Sequence, residues 1–335
     1  MALSGLKFNL FAEVKPYLRL RKELVSYLSK HPNEWPKFQE IFTLTVDKIY
    51  ADILELERTN IDKYESDIYR LKKIFEKRYR RYFLYGEYMR WCLNKPFGYS
   101  GDFKIIDNIY QNEVRTTGFD GLCDSWFQQL AASKAVRARK EDFKKMILDF
   151  AKKFRGQEMR IMNLASGPAR EIKELLEIDN NKELFSQTTF DCYDFNVEAI
   201  NYAKQLLKNP DRIVFFKKNA LRLAFKKNIE DEIACKYDLI YSTGLFDYLG
   251  ERVAIRLVNN LRKILKAGGI MLISNARDKY SNSSSTWMEW IGEWFLIYRN
   301  DAEFERIFLN AGFPKKQIQV ISQESKVMQY CIVRR

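Results

Sequence analysis

The 335 residues are 46% hydrophobic, 15% aromatic and 30% charged, which supplies enough apolar surface for two cores and excludes a disordered chain. No run approaches the roughly 18 to 20 uninterrupted apolar residues of a membrane span, and residues 1–15 lack an apolar stretch followed by a small-residue cleavage site, so a cytoplasmic location is expected. A formal charge of +13 would attract anions, but the lysines are scattered among acidic residues along the whole chain, a pattern that argues against a nucleic-acid-binding stripe.

The five cysteines, Cys92, Cys123, Cys192, Cys235 and Cys331, show no CxxC pair and suggest neither a disulfide framework nor a zinc site. A single histidine, His31, leaves little room for a Ser-His-Asp triad or a multi-histidine centre. The chemistry is therefore expected to run without imidazole and without a metal.

In the N-terminal half, Phe42, Val46, Ile49, Ile53 and Leu56 recur at helical spacing. A second amphipathic helix follows, with Ile68, Leu71, Phe75, Tyr79 and Tyr82 on one face and the basic residues of 70–81 around the other. Residues 1–90 have few glycines and no alternating runs, so a strandless helical bundle is expected. Asn94-Lys-Pro-Phe-Gly-Tyr-Ser-Gly-Asp102 must break into a compact loop, after which helical patterning resumes through Ile105, Ile109 and Tyr110, and again over residues 126–154.

After Gly156 short apolar runs alternate with amphipathic helices, the signature of a parallel sheet with crossover helices. Strands are predicted at 160–164, 188–193, 213–216, 237–241 and 270–274. Between them run helices at 170–176, at 197–207 with a stop at Asn209-Pro210, and along Ala254, Leu257, Val258, Leu261 and Leu265 up to Gly268-Gly269. A serine-rich loop at 281–285, an aromatic segment, a helix around 304–309 and two last strands at 318–321 and 327–333 complete the pattern. The expected fold is α/β: a Rossmann-like doubly wound sheet of seven strands, the last antiparallel, at 141–335, behind a helical domain at 1–140 on the substrate side.

Strand, tight loop, helix is the geometry that binds adenosine cofactors, but the G-x-G-x-x-G of a dinucleotide site is absent. In its place stands Asn163-Leu-Ala-Ser-Gly-Pro-Ala-Arg-Glu171, a short loop of small residues suited to a ligand without phosphate, such as the methionine part of S-adenosylmethionine. Ala165, Ser166 and Gly167 are the loop positions; Asp194, with Phe195 beside it, ends the second strand where a carboxylate meets ribose hydroxyls. Asn219 and Ala220 fall where the adenine edge would lie, and Ser242 and Gly244 leave the fourth strand. The product would be S-adenosylhomocysteine.

The chain resembles the bacterial methyltransferases associated with the extracellular factor 3-hydroxypalmitic acid methyl ester. The matching stretches, within about 91–299, are Lys95-Pro-Phe-Gly-Tyr-Ser-Gly-Asp102, Lys134-Ala-Val-Arg-Ala-Arg139, Leu164-Ala-Ser-Gly-Pro-Ala-Arg-Glu-Ile172, Tyr241-Ser-Thr-Gly-Leu-Phe-Asp-Tyr-Leu249, and Trp287-Met-Glu-Trp with Trp294 and Tyr298-Arg299. The resemblance implies methylation of a fatty-acid carboxylate. Such an acceptor is ionised at neutral pH and needs no general base, only alignment and desolvation. Tyr99, Asn275, Trp287 and Tyr298 are expected to shape an acceptor pocket between the helical domain and the strand ends, with Arg137 or Arg299 pairing with a carboxylate. The alternatives are another small-molecule acceptor, an acyl group on a carrier protein docked at the basic helix 70–81, and a non-catalytic sensor or scaffold that binds S-adenosylmethionine.

Overall fold

The computed structural model describes residues 3–154, 157–208 and 211–335; the switch of pattern at Gly156, the Asn209-Pro210 helix stop and the first two residues of the 1–15 segment lie outside them. Packing divides the chain into two compact units, Met1–Lys134 with Lys279–Phe295, and Ala135–Asp278 with Leu296–Arg335. The division is not a single cut near residue 140, because a segment following the fifth strand returns to the helical unit.

The helical unit contains α1 (Leu3–Leu28), α2 (Gln39–Phe83), α3 (Glu87–Asn94), α4 (Phe103–Gln111), α5 (Gly118–Gln129) and the start of α6 (Ala131–Ala151). The two amphipathic helices expected from periodicity are both present within α2, which kinks where the backbone leaves helical geometry at Tyr64 (φ −131°, ψ 39°). Residues 57–67 hold no glycine or proline, so neither of the usual helix breakers marks this kink. The predicted run 126–154 instead breaks at Leu130 (ψ 145°), where the Ser133 hydroxyl donates to the Phe127 carbonyl. In the 94–102 loop, the buried Asp102 carboxylate accepts from the Lys104 and Ile105 amides at 2.9 and 3.0 Å and so caps α4, while Trp91 Nε1 donates to its other oxygen.

Four charged side chains of this unit fasten the returning segment, whose residues Ser285–Trp290 form α12. Lys72 of α2 pairs with Glu289 at 2.8 Å; Lys279 pairs with Glu289 at 2.7 Å and with Glu57 of α2. Trp290 Nε1 donates to the second Glu57 oxygen at 2.7 Å. The group is neutral as a whole and its members satisfy one another, as buried charge requires.

The second unit is built from β1 (Met159–Leu164), α7 (Arg170–Glu177), α8 (Asp179–Leu184), β2 (Thr188–Asp194), α9 (Val197–Leu207), β3 (Ile213–Lys217), α10 (Ala220–Phe225), β4 (Tyr237–Ser242), α11 (Glu251–Ile264), β5 (Leu265–Ala276), α13 (Asp301–Asn310), β6 (Ile318–Ser322) and β7 (Met328–Arg334). The seven strands lie in the order β3-β2-β1-β4-β5-β7-β6, with β1 to β5 parallel and β7 antiparallel to both its neighbours, as expected from the sequence. All six residues of β4 are buried, the mark of a central strand covered on both faces. Ala254, Leu257, Val258, Leu261 and Ile264 of α11 pack the core of this unit with Ile240, Phe304 and Phe308.

One boundary moves. The helix expected to reach Gly268-Gly269 stops at Ile264, and β5 begins at Leu265. The pairing jumps from Tyr237 opposite Leu265 to Leu239 opposite Ile270, so the two glycines form a bulge within the strand. Gly268 has φ +76°, and a Cβ on Gly269 would lie 2.9 Å from the Asp238 carbonyl. The serine-rich segment is a loop over residues 282–284, as expected, and α12 begins at its last serine, Ser285. Among the described residues, no helix is long and apolar enough to cross a membrane.

Candidate functional site

In the sheet order, β1 and β4 are neighbours whose crossovers leave in opposite directions, the point where an open α/β sheet forms a crevice at the carboxyl ends of its strands. The loop after β1 is tightly wound: Ala165, Gly167 and Ala169 all adopt left-handed backbone, with φ of 55°, 51° and 51°. For alanine this conformation costs about 1 kcal/mol, and such strain concentrates where a loop is shaped for a ligand. The Ser166 amide donates to the Tyr193 carbonyl at 3.0 Å, yet its buried hydroxyl has no hydrogen-bond partner.

Asp194 closes this side of the crevice. Its oxygens accept from the Gly167 amide and the Asn196 amide, each at 2.9 Å, which ties the end of β2 to the loop. A carboxylate has about four acceptor positions, so two amides leave capacity for ribose hydroxyls. Burial raises its pKa, with the backbone donors opposing. Phe195, beside it, is exposed. Asn219 caps α10 by accepting from the Leu221 amide at 2.8 Å and so presents Ala220 at the end of β3. Ser242 Oγ donates to the Leu164 carbonyl at 2.8 Å, pinning β4 to β1 across the crevice. Beneath the loop the buried Glu171 carboxylate accepts from Asn163 and Tyr241, both at 2.8 Å, and burial raises its pKa.

A second constellation lies at the ends of β4 and β5. Asp247, buried in the 3-10 turn that follows Gly244, accepts through Oδ1 from the Ala276 amide at 2.6 Å and from Asn275 Nδ2 at 3.2 Å. Its Oδ2 faces Arg139 Nη1 at 3.5 Å. Burial pushes the Asp247 carboxyl up to about 6, with Arg139 and Arg299 opposing. Asn275 also donates to the Ala276 and Ile297 carbonyls. Arg299 donates to the carbonyls of Phe246 and Leu249 and to the Asn275 amide oxygen, which makes it a strut of this turn.

The acceptor-side residues picked from sequence thus fall in two places. Arg137, Asn275, Tyr298 and Arg299 belong to the sheet unit, whereas Tyr99 and Trp287 belong to the helical unit. Trp287 is buried there against Phe127 and Trp126, with ring centroids 5.5 and 6.5 Å away. Arg137 is half-buried and burial lowers its pKa. Sequence reasoning missed Arg139 and Asp247, although both stood in stretches that carried the resemblance. Two arginines two residues apart on a helix point in widely different directions, and the sequence alone does not say which turns inward.

Residues 166–271 match the family described as a methyltransferase domain. The crevice fits the cofactor of that class: small left-handed loop, unpartnered Ser166 hydroxyl, and carboxylate at the end of β2. The protein is an S-adenosylmethionine-dependent methyltransferase of the class I, Rossmann-like kind. No curated protein matches the chain. Among solved structures, it shares its fold with a possible exported protein from Bordetella parapertussis, at 15% identity and a TM-score of 0.54 over 70% of this chain and 79% of that one. Weaker similarities include the magnesium protoporphyrin IX methyltransferase of Synechocystis with bound S-adenosylhomocysteine (11% identity, TM-score 0.44, 61% of this chain and 87% of that one). Another is an O-methyltransferase family protein of Burkholderia thailandensis (15% identity, TM-score 0.41, 61% of each chain).

Proposed function

We propose that the enzyme methylates the carboxylate of a fatty acid, with a 3-hydroxy fatty acid as the preferred acceptor, and releases the methyl ester. The observation that carries this reading is the use made of the Gly244-Leu-Phe-Asp-Tyr-Leu249 run, an uncommon element of the resemblance: it turns at the exit of β4 and sets Asp247 opposite a buried arginine. A buried cation at this exit suits an anionic acceptor. S-adenosylmethionine supplies an electrophilic methyl group on sulfonium sulfur. As the acceptor oxygen bonds to that carbon, the carbon–sulfur pair returns to sulfur, and no proton moves. This matches a chain whose one histidine, His31, precedes a 3-10 turn of the helical unit.

In this reading Ala165, Ser166 and Gly167 hold the methionine part, Asp194 the ribose, and Asn219 with Ala220 the adenine edge, while Phe195 lends an apolar side and Ser242 and Gly244 border the methyl group. The test is incubation with isotopically methyl-labelled S-adenosylmethionine and 3-hydroxypalmitate, followed by mass spectrometry. Labelled methyl ester is expected, and consumption of the cofactor only with acceptors lacking a carboxylate would overturn the assignment.

A second reading, delivery of the acyl group by an acidic carrier protein, is favoured by one observation. Lys72 and Arg80 of α2 turn to Glu289 and Glu293, but Arg70, Lys73, Lys77 and Arg81 stay exposed at helical spacing along one ridge. Replacing those four by glutamine would then slow turnover of carrier-bound but not free acceptors.

A further inference from the structure

Arg139 is buried without the hydrogen bonds that a buried charge requires. It is 3% exposed, its Nε is buried with no partner, and its contact with Asp247, 3.5 Å from Nη1, is too long for a good charge-assisted hydrogen bond. A Cβ at Gly244 would lie 3.5 Å from Nη2 and 3.7 Å from Nη1, so the guanidinium lies alongside the backbone that leaves β4. Asp247 cannot swing to close the gap, because its Oδ1 is held by the Ala276 amide and by Asn275. Arg299 offers no comparable edge, since its terminal nitrogens donate to the Phe246 and Leu249 carbonyls and to Asn275. The result is a fork oriented by a fixed carboxylate on one side and unsatisfied on another, the arrangement that receives a second carboxylate in two parallel hydrogen bonds.

We propose that Arg139 is the carboxylate-binding residue of this site, and that Asp247 is its positioning residue. Two carboxylates meet the description, that of the acceptor and that of the methionine part of the cofactor. The first source rests on the acceptor proposed above; the second does not.

The experiment is calorimetric titration of the full chain and of Arg139→Gln with two pairs of probes, in each of which one member bears a carboxylate and the other lacks it. S-adenosylhomocysteine is compared with 5′-methylthioadenosine, and 3-hydroxypalmitate with hexadecane-1,3-diol, the latter two in saturating S-adenosylhomocysteine. Arg139→Gln is expected to weaken one of the carboxylate-bearing probes by at least about tenfold while leaving its carboxylate-free counterpart unchanged. A loss confined to S-adenosylhomocysteine assigns the residue to the cofactor; a loss confined to 3-hydroxypalmitate assigns it to the acceptor. If the wild type binds no 3-hydroxypalmitate while the variant loses S-adenosylhomocysteine, the acceptor reading fails and the role of Arg139 stands. The double variant Arg139→Gln/Asp247→Asn, which leaves no lone buried charge, repeats the measurement should the single variant melt early. Undiminished affinity for both carboxylates in a folded variant overturns the proposal.

Discussion

Asp194 holds its oxygens on two backbone amides, Gly167 in the loop after β1 and Asn196 past the end of β2, so removing it does more than delete the proposed ribose contact. Asp194→Ala is expected to weaken S-adenosylhomocysteine at least about tenfold and also to loosen the loop, because two part-buried N–H donors lose their acceptor. Calorimetry against the wild type, with a thermal melt alongside, reads both; unchanged affinity would remove Asp194 from the cofactor site. Asp247 makes a different expectation. Burial sets its folded-state pKa at about 6, against an ordinary value of 3.8. Between these values the folded chain binds more proton than the unfolded one, so this group's contribution to stability falls as pH rises from roughly 4 to 6 and then levels. The stability of Asp247→Asn relative to wild type should therefore improve over that window in urea melts; a flat difference would show that Asp247 titrates ordinarily. The placement of Asp194, Gly167 and Asn219 at the strand exits was legible in the sequence because a strand-loop-helix fold fixes where each strand delivers its next residue. Arg139 was not, since inward direction on a helix depends on which face the neighbouring strands cover.

At the level of elements, Glu57, Lys72, Lys279 and Glu289 form a closed set whose parts come from residues more than two hundred positions apart. Removing one member leaves an uncompensated charge in a buried place, and Glu57→Ala is expected to cost about 3–5 kcal/mol by chemical denaturation. Trp290 would lose its acceptor as well. A cost below about 1 kcal/mol would mean that the group is solvated and behaves as a surface pair. Periodicity exposed the strands and crossover helices because each buries one repeating face. It separated the two apolar stripes of α2 but did not show where the element kinks, since no glycine or proline marks Tyr64. Nor did it show the bulge at Gly268-Gly269, where a glycine pair reads equally as the end of a helix.

For the whole molecule, composition and the alternation of strands and helices conveyed two cores and a doubly wound sheet, but not the route between them. Lys279–Phe295 sits with the helical unit although the residues before and after it belong to the sheet unit. Residues 1–134 produced alone would leave Lys72 and Glu57 without Lys279 and Glu289. They are expected to aggregate or remain molten, as judged by near-ultraviolet dichroism and gel filtration, and a cooperatively folding fragment would contradict this. The same route bears on descent. Three crossings of the chain mean that a single breakpoint cannot exchange one unit for a homologous one, since the seventeen-residue return would stay behind. Its charges and Trp290 can change only in step with α2, and Trp287 only in step with α5, so the helical half is expected to pass with the whole gene instead of being traded as a detachable module.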